Sequence, residues 1–597
     1  MAQPVSGNAG LVKTGAGVLT LRPANATSAY TCGTTVQAGG LTFVGGLVTD
    51  QITVMNSGTL RLSGTPVYSR LTVQSGGALD TVYRSAGLTN ACELFLEGGV
   101  VYGGDRLTNT GQMQARGTIE GVLANKMNVA LTGALSTSET LNTGSIALGG
   151  FTLTSFSGLT NSDGGQISGK GTLAATLYNT GGTVRANGGG TLAVQSVGGQ
   201  QDNSRLIVDA GSTLSVGNTF ANLAFVTLNG GVLQASFTNK GLVQGWGQVN
   251  GNVTNQSGGT VNASGGVLQL SNGVTNPVEA TLAVQPGATM RLSSALSSAG
   301  KITVDSGRFE IAAGGLTNTS TGRIEVGGSN STIATTGLVN SGALVVSAAS
   351  LRVDGNLSNS GTTTITKSTA QFYGAVTNSR TFNSTQSTLS FLGGLVNTGT
   401  FKTDPNRTVL SSLVNDGAGA IVAAAGDVFV VTGNVGGNTT NRTVWNTAAA
   451  TLEFVAGTSS THQFELSGVD LGNGPAAAAS NFAWGTLRLG VGQKLSLKDA
   501  AANWSGGSRA LYVGVLQTDG CAGGGVGSFV AGQIAGNGFN LYSDPALGGN
   551  AWLGGGTYAL GGGGNLSPLA AVPEPSTVAL WLLGLAALSR RALVAKG

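Results

Sequence analysis

The sequence predicts an all-β protein built as a right-handed parallel β-helix (β-solenoid) with coils of about 19 residues, plus a short C-terminal hydrophobic helix. Three observations predict this fold class. The chain is rich in glycine and poor in charge. A short phrase ending in asparagine returns at a nearly constant spacing, and apolar and polar residues alternate within each repeat.

Composition sets the class of protein before any motif is considered. Of 597 residues, 101 are glycine and 11 are proline, 40 % are hydrophobic and only 9 % are charged. Disordered chains combine low hydrophobicity with high charge, so this composition excludes them. Gly, Ser, Thr and Asn between short apolar runs indicate many turns that join short strands. The net charge is +4, with no basic cluster before the C-terminal segment, so nucleic acid is not expected as a partner.

The repeated phrase consists of an aliphatic or aromatic residue, any residue, and then asparagine. Its clearest run has successive steps of 22, 19, 19, 19 and 18 residues and ends at these positions: Asn318, Asn340, Asn359, Asn378, Asn397 and Asn415. A period near 19 residues is typical of a solenoid coil and is too short for a propeller blade. We expect a structural asparagine row at a corner of the coil, since asparagine tolerates the left-handed conformation there and stacked amides form ladders.

Within each period the pattern is that of β-strands. Segments such as 301–315 and 343–355 alternate apolar and polar residues and then break at Gly, Ser or Asn. Three short strands with tight turns fit in about 19 residues, and stacked coils pair about 4.8 Å apart. One coil cannot bury its apolar face, but a stack of coils can.

The same patterns divide the chain into five segments. Residues 1–45 are expected to form the first coils, and residues 46–460 the main β-helix. Residues 461–559 lose the phrase and are interpreted as irregular final coils or a cap, because the open end of a solenoid needs protection from edge pairing. Residues 560–571 are predicted to be a glycine-rich tether, followed by the C-terminal segment 572–597.

The C-terminal segment has three parts. Pro573, Glu574 and Pro575 form a rigid, extended tripeptide. An uncharged run over residues 576–588 follows, and its apolar positions are Val578, Leu580, Trp581, Leu582, Leu583, Leu585 and Leu588. Arg590 and Arg591 come next, in the order expected of a membrane anchor whose tail stays in the cytoplasm. As a helix the run is about 20 Å long against about 30 Å of hydrocarbon, so a plain tail anchor or a buried core helix remains an alternative.

This layout resembles the PEP-CTERM sorting signal of Gram-negative bacteria. The resemblance implies export, transient anchoring in the inner membrane, processing by an exosortase at or near the motif, and release to the cell surface or extracellular matrix. It assigns Pro573, Glu574 and Pro575 as the sorting motif, the apolar run as the membrane segment, and Arg590 and Arg591 as the cytoplasmic basic stop. The chain opens without a basic and then apolar leader, so we expect that a signal peptide has been removed or precedes the given start.

The N-terminal residues carry a second resemblance, to the autotransporter-associated β-strand repeat. The matching positions are Leu11, Lys13, Gly15, Gly17, Leu19, Leu21, Asn25, Tyr30, Gly33, Thr34, Val36, Gly39 and Leu41. The resemblance implies coils of a passenger-like β-helix, in agreement with the periodicity.

Residues suited to chemistry are sparse. The 25 acidic residues are scattered, and the closest pair, Glu93 and Glu97, is expected on the solvated outer face beside Phe95. His462 is the only histidine and is predicted to lie in an exposed loop. Cys32 and Cys92 are about three coils, hence about 14 Å, apart and are predicted to be unpaired. We therefore expect no catalytic site, no metal and no cofactor.

These inferences predict a non-enzymatic, exported, structural or adhesin-like protein of the cell surface or extracellular matrix. Its expected partners are the exosortase and inner membrane, transiently, and exopolysaccharide. Two alternatives remain. A β-helix polysaccharide-degrading enzyme, a lyase or hydrolase, requires two or three carboxylates within about 10 Å. An ice-binding solenoid requires regular threonine rungs on a flat face.

Overall fold

The structure, a computed structural model, describes residues 5–22, 27–81, 87–201, 203–501, 503–519 and 525–571. The chain divides into two compact units, Met1–Thr336 and Gly337–Gly597. Both are built from coils of about 19 residues, with about 23 turns in all, so the predicted all-β solenoid is confirmed. Each regular coil carries strands on three faces, which we number first, second and third in chain order.

In the first unit most strands lie on only one of the three faces each, and the others bend from one face to the next. The first face has Leu11–Lys13, Thr34–Val36, Gln51–Val54, Arg70–Gln74, Ser145–Ala147, Gln166–Ser168, Thr183–Ala186, Arg205–Asp209, Thr281–Val284, Lys301–Asp305 and Arg323–Gly327. The second face has Val18–Leu21, Gly39–Phe43, Gly58–Leu62, Ala78–Asp80, Thr152–Ser155, Ser212–Val216, Thr289–Leu292, Arg308–Ile311 and Ser331–Ala334. The third face has Ser6–Gly7, Ser28–Tyr30, Leu47–Thr49, Pro66–Val67, Leu88–Asn90, Leu159–Ser162, Phe220–Asn222, Phe237–Asn239, Val253–Asn255, Val274–Thr275, Leu296–Ser298 and Leu316–Asn318.

Other strands of the first unit bend from one face to the next. Those that follow all three faces are Glu93–Asn109, Gln112–Asn125 and Asn128–Asn142. Those on the second and third faces are Gly171–Thr180 and Gly190–Gln201, and those on the first and second are Phe225–Gln234, Leu242–Val249 and Thr260–Leu270.

The second unit repeats this arrangement. Its first face has Ala343–Ser347, Thr362–Thr366, Ala420–Ala423, Asn540–Ser543 and Asn565–Pro568, and its second face has Ser350–Val353, Thr369–Phe372 and Val428–Val431. The third face has Gly337–Asn340, Asn356–Asn359, Val376–Asn378, Leu395–Asn397, Leu413–Asn415, Val435–Gly436, Thr461–Glu465, Lys494–Lys498 and Ile534–Ala535. Strands on both the first and second faces are Thr381–Phe391, Thr400–Leu410, Thr447–Phe454, Trp484–Leu489 and Ala510–Thr518.

Among the described residues, the helices and the one antiparallel strand pair lie near the end of the second unit. One α-helix spans Val526–Gln533 and one 3-10 helix spans Gly548–Leu553. Strand Tyr558–Ala559 runs antiparallel to Asn565–Pro568, whereas the coil strands pair in parallel with their counterparts in neighbouring coils, as Thr377 does with Val396. The end of this unit is therefore less regular than its coils.

The cores follow from alternation along the strands. In Lys301–Asp305 the inward Ile302 and Val304 are fully buried, while Lys301 and Thr303 lie on the outside. The core of the second unit also contains stacked phenylalanines, with the ring centroids of Phe372 and Phe391 5.2 Å apart. Because equivalent positions of successive coils repeat the same residue type, like side chains stack along each unit.

Candidate functional site

The repeated asparagines form a buried hydrogen-bonded row on the third face. In the second unit Nδ2 of Asn340 donates to Oδ1 of Asn359 at 2.7 Å, and the chain continues through Asn378 and Asn397 to Asn415 at 2.8, 2.8 and 3.0 Å. The second proton of each amide goes to a backbone carbonyl, as from Asn378 to Thr400 at 3.1 Å. The amide ladder expected from the sequence is thus present.

In the first unit the row contains more asparagines than the run singled out from the sequence. It links Asn90, Asn109, Asn125, Asn142, Asn161 and Asn179 at 2.7 to 2.9 Å, and then Asn222, Asn239, Asn255 and Asn276 at 2.7 to 3.1 Å. Gln200 occupies the intervening position, and Ser298 follows Asn276. Asn318, at the next position, is fully buried and pairs in register with Ser298.

One detail of the asparagine prediction is wrong. The asparagines of the row do not adopt the left-handed conformation, because they end strands on the third face rather than forming the corner. The turn begins after each asparagine, so the residues of the turn, and not the asparagine, adopt the backbone conformations that change the direction of the chain. The row is fully enclosed by protein, with Asn340, Asn359, Asn378 and Asn397 at 0 % exposure, so these side chains hold the coils together.

The last strand of the second unit is fixed by backbone hydrogen bonds. Asn565–Pro568 pairs in parallel with Asn540–Ser543. Beyond it, the N–H of Leu569 donates to the Ser543 carbonyl at 2.9 Å, and that of Ala570 to the Asn473 carbonyl at 2.7 Å. Ala571, the final described residue, is exposed. The backbone hydrogen bonds of the described residues therefore continue to Ala570.

A cluster around Asp470 holds this end in place. The Tyr542 hydroxyl donates to Oδ1 of Asp470 at 3.0 Å, and the Asn540 amide donates to Oδ2 at 2.8 Å. The Tyr542 ring stacks on Tyr512 with centroids 4.9 Å apart, and both rings pack with the buried Leu569. Burial, together with the neighbouring Asp470, raises the pKa of Tyr542 to about 12, so its hydroxyl stays protonated and can donate at neutral pH.

The segment that begins where this cluster ends matches a known family model. Residues 571–595 match the PEP-CTERM protein-sorting motif. The motif indicates export, anchoring through the C-terminus and sorting by an exosortase. No curated protein and no solved structure matches the chain.

The residues assigned to the sorting motif, the membrane segment and the basic stop all lie outside the described residues, as does the predicted C-terminal helix. Within the described part, no helix is long and apolar enough to cross a membrane. The resemblance of the N-terminal coils to the autotransporter-associated repeat stays a prediction.

The tether predicted for residues 560–571 is wrong for most of its length. Leu560, Leu566 and Leu569 are buried, at 4, 1 and 9 % exposure. Glycines 562–564 form the hairpin that returns the chain to the last strand, and all three have positive φ. The glycines of this segment suggest a flexible linker in the sequence, but they are present because a tight turn with positive φ requires glycine. The PEP-CTERM match therefore begins directly at the folded end.

Several acidic residues of the outer faces form ion pairs with arginine. Glu93 lies outside beside Phe95, as predicted, while Leu94 and Leu96 are buried, and the Glu93 carboxylate is 2.9 Å from Arg70. Comparable pairs join Arg185 to Asp209 and Arg61 to Asp80. Among the described residues, no group of three or more His, Cys, Asp or Glu side chains is arranged to hold a metal ion.

The prediction for His462 is wrong. Its side chain is fully buried, with Nδ1 2.6 Å from the Gly433 carbonyl and Nε2 2.9 Å from Oε1 of Gln493. The ring also packs on Phe454, with centroids 4.9 Å apart. Its partners lie 29 and 31 residues away in sequence, so no local signal reveals them.

The prediction for the two described cysteines is confirmed. Cys32 and Cys92 are both exposed and free of a disulfide. They precede first-face strands that are three coils apart, which supports the register inferred from the sequence.

Proposed function

We propose that the chain is a non-enzymatic structural or adhesin-like protein of the cell surface or extracellular matrix of a Gram-negative bacterium. The observation that carries this proposal is the PEP-CTERM match over residues 571–595, attached to a β-solenoid. An exosortase acts on the sorting segment, and the solenoid is the part that reaches its destination.

The geometry of the folded end supports processing at this point. The last backbone hydrogen bond described for the chain is made by Ala570, and the PEP tripeptide begins three residues later. A cut at or near Pro573 to Pro575 therefore removes none of the contacts around Asp470 and Tyr542. The released unit keeps its complete C-terminal strand.

The outer surface supports many weak contacts rather than one reactive pocket. Hydroxyl side chains recur on the third face, as at Thr89 and Thr108 and at Thr238 and Thr254, and repeated weak sites gain avidity from their number. Exopolysaccharide, which presents many hydroxyls, is the partner that this surface suits. Several outer-face carboxylates are paired with arginine, as in Arg61–Asp80, Arg70–Glu93 and Arg185–Asp209, and this pairing favours the non-enzymatic role over the free carboxylate pair of a polysaccharide-degrading enzyme.

Fractionation of producing cells tests the proposal. The wild-type chain is expected at the surface or in the medium, whereas the Pro573→Ala/Pro575→Ala variant is expected to stay in the inner membrane. Pro545→Ala, at an exposed turn before the 3-10 helix, is the matched control and is expected to follow the wild type. Identical distributions of the motif variant and the wild type contradict the proposal, as does depolymerisation of the cell's exopolysaccharide by the purified chain.

A further inference from the structure

A groove of about 420 Å³ lies on the third face of the first unit. Its floor is formed by Thr254, Thr275 and Ser297, and Gln256 and Pro277 belong to its raised side. The volume falls within the range of ligand-binding clefts. Every described residue that lines the groove is uncharged.

The floor is a row of hydroxyl groups in register. Thr254 pairs with Thr275, and the bridge from Asn276 to Ser298 places Ser297 beside Thr275 in the next coil. Each is the middle residue of the repeated phrase, so its side chain points outward while the asparagine or serine after it points inward. Strands in such a stack are about 4.8 Å apart, and the three exposed hydroxyls repeat at that spacing.

The side of the groove is built by two enlarged turns. Only two residues, Lys240 and Gly241, join the third face to the first after Asn239, but four do so after both Asn255 and Asn276. Longer segments elsewhere in these coils account for most of the rise in spacing between row positions, from 16 residues before Asn255 to 21 and 22 after it, and each enlarged turn contributes two residues. The added residues rise beside the hydroxyl row and turn a strand face into a groove.

These two turns are fixed to each other. The Ser257 hydroxyl donates to Oε2 of Glu279 at 2.5 Å, and the Gly258 N–H donates to the Glu279 carbonyl at 3.1 Å. Glu279 has φ of 64°, a left-handed conformation that residues other than glycine adopt infrequently. Bonds that hold a residue in such a conformation keep the side of the groove in place before any ligand arrives.

We propose that this groove binds a neutral polysaccharide. Hydroxyl and carboxamide side chains both donate and accept hydrogen bonds, which matches the hydroxyls of a sugar chain. The absence of a cation among the described lining residues disfavours a polyanion. The strand backbones beneath the floor already pair within the solenoid, which leaves no edge for an added peptide strand, and a raised side does not suit the flat surface of ice.

This inference rests on the proposed function for the location of the ligand, but its test does not depend on export. The probes are the neutral and the acidic fractions of the producing cell's exopolysaccharide, titrated against the purified full chain in detergent. Loss of two or more hydrogen bonds in Thr254→Val/Thr275→Val is expected to weaken binding of the neutral fraction by about tenfold or more. Ser257→Ala, which loosens the side of the groove, is expected to weaken binding by a smaller factor.

The matched control is Thr89→Val/Thr108→Val. These threonines occupy the same position of the same phrase on the same face, where no enlarged turns adjoin them, and the change is expected to weaken binding far less than Thr254→Val/Thr275→Val does. Circular dichroism and melting temperature establish that the variants fold.

Four outcomes would overturn the inference. These are binding of the acidic fraction alone, binding of neither fraction, equal loss in both threonine pairs, and thermal hysteresis of the wild-type chain that disappears in Thr254→Val/Thr275→Val. A failure of sorting does not alter these titrations, and a failure of binding does not alter the fractionation result, so the two proposals fail separately.

Discussion

At the scale of single residues, the buried asparagines explain why the repeated phrase can be recognised in the sequence. Each amide in the row both donates and accepts, so a change at one coil leaves polar groups of its neighbours unsatisfied. This constraint made the row predictable from spacing alone. The backbone conformation was predicted wrongly, because the same residue type suits both a left-handed corner and the end of a buried strand.

Asn378→Ala tests the energy of the row. The change removes hydrogen bonds to Asn359, Asn397 and Thr400 and leaves buried polar atoms unpaired, so we expect a loss of about 3 kcal/mol in the free energy of unfolding. Urea denaturation followed by circular dichroism measures it. The neighbouring Thr377→Ala, on the exposed side of the same strand, should change stability by less than about 0.5 kcal/mol. Equal losses of stability in the two variants would show that the hydrogen bonds of the row do not add to the free energy of unfolding.

At the scale of elements, the coil is what the sequence determines most clearly. Alternating strands and the 19-residue step follow from side chains that repeat at each level. The phrase is lost from residue 461 onward, and the sequence predicts neither the helix Val526–Gln533 nor the hairpin that ends in Asn565–Pro568. Both depend on packing against distant strands, and glycine-rich segments there look the same as linkers. The burial of His462 has the same origin, since its partners belong to other coils.

The phenylalanine stack of the second unit provides the test of coil packing. Phe391 is fully buried and contacts the rings of Phe372, Phe382 and Phe401 at centroid distances of 5.2 to 5.8 Å. Phe391→Ala is expected to destabilise the protein by about 4 kcal/mol, because a cavity is left between coils. Leu392→Ala, at a neighbouring side chain that is 47 % exposed, serves as the control. A loss below about 1 kcal/mol in Phe391→Ala, measured by thermal or urea unfolding, would contradict the packing described.

Ion pairs between neighbouring coils give the solenoid a pH dependence. The hydrogen bond from Lys301, opposed by partial burial and assisted by Arg323, lowers the pKa of Glu325. A carboxyl whose pKa is lowered on folding stabilises the protein above its unfolded pKa of about 4.3, and this contribution disappears as pH falls through the lower folded value.

Glu325→Gln should therefore show a smaller drop in melting temperature between pH 7 and pH 3 than the wild type does. The effect is expected to stay below about 1 kcal/mol, since the pair is partly solvated. Glu120→Gln, at an exposed side chain for which the described residues show no ion pair, should lose stability with acid as the wild type does. Parallel acid profiles of Glu325→Gln and the wild type would exclude this contribution.

At the scale of the whole molecule, the last described backbone hydrogen bond, made by Ala570, directly precedes the start of the sorting motif. The sequence predicted the sorting segment from its order of proline, apolar run and arginine, and the family match agrees over residues 571–595. It did not predict that the fold continues up to that segment. The contacts responsible, among Asp470, Tyr542 and Leu569, join residues far apart in sequence.

Two truncations test where the folded part of the chain ends. A chain that ends at Ala571 keeps every described contact and should unfold at the same temperature as the full chain. A chain that ends at Gly564 lacks the last strand, exposes Leu541 and Tyr542, and should melt several degrees lower. Differential scanning calorimetry of the two chains compares them directly. Equal melting temperatures would mean that residues 565–571 are a linker after all.

We propose that this solenoid is exported and then released by processing at its C-terminal sorting motif. The most direct measurement is the mass of the C-terminal peptide of the protein recovered from the surface or medium of the producing cell. Release by an exosortase predicts a peptide that ends at or near Pro573 to Pro575, without the apolar run and the two arginines. A C-terminal peptide that still ends at Gly597 would contradict it, because the segment would then be an anchor that is never removed.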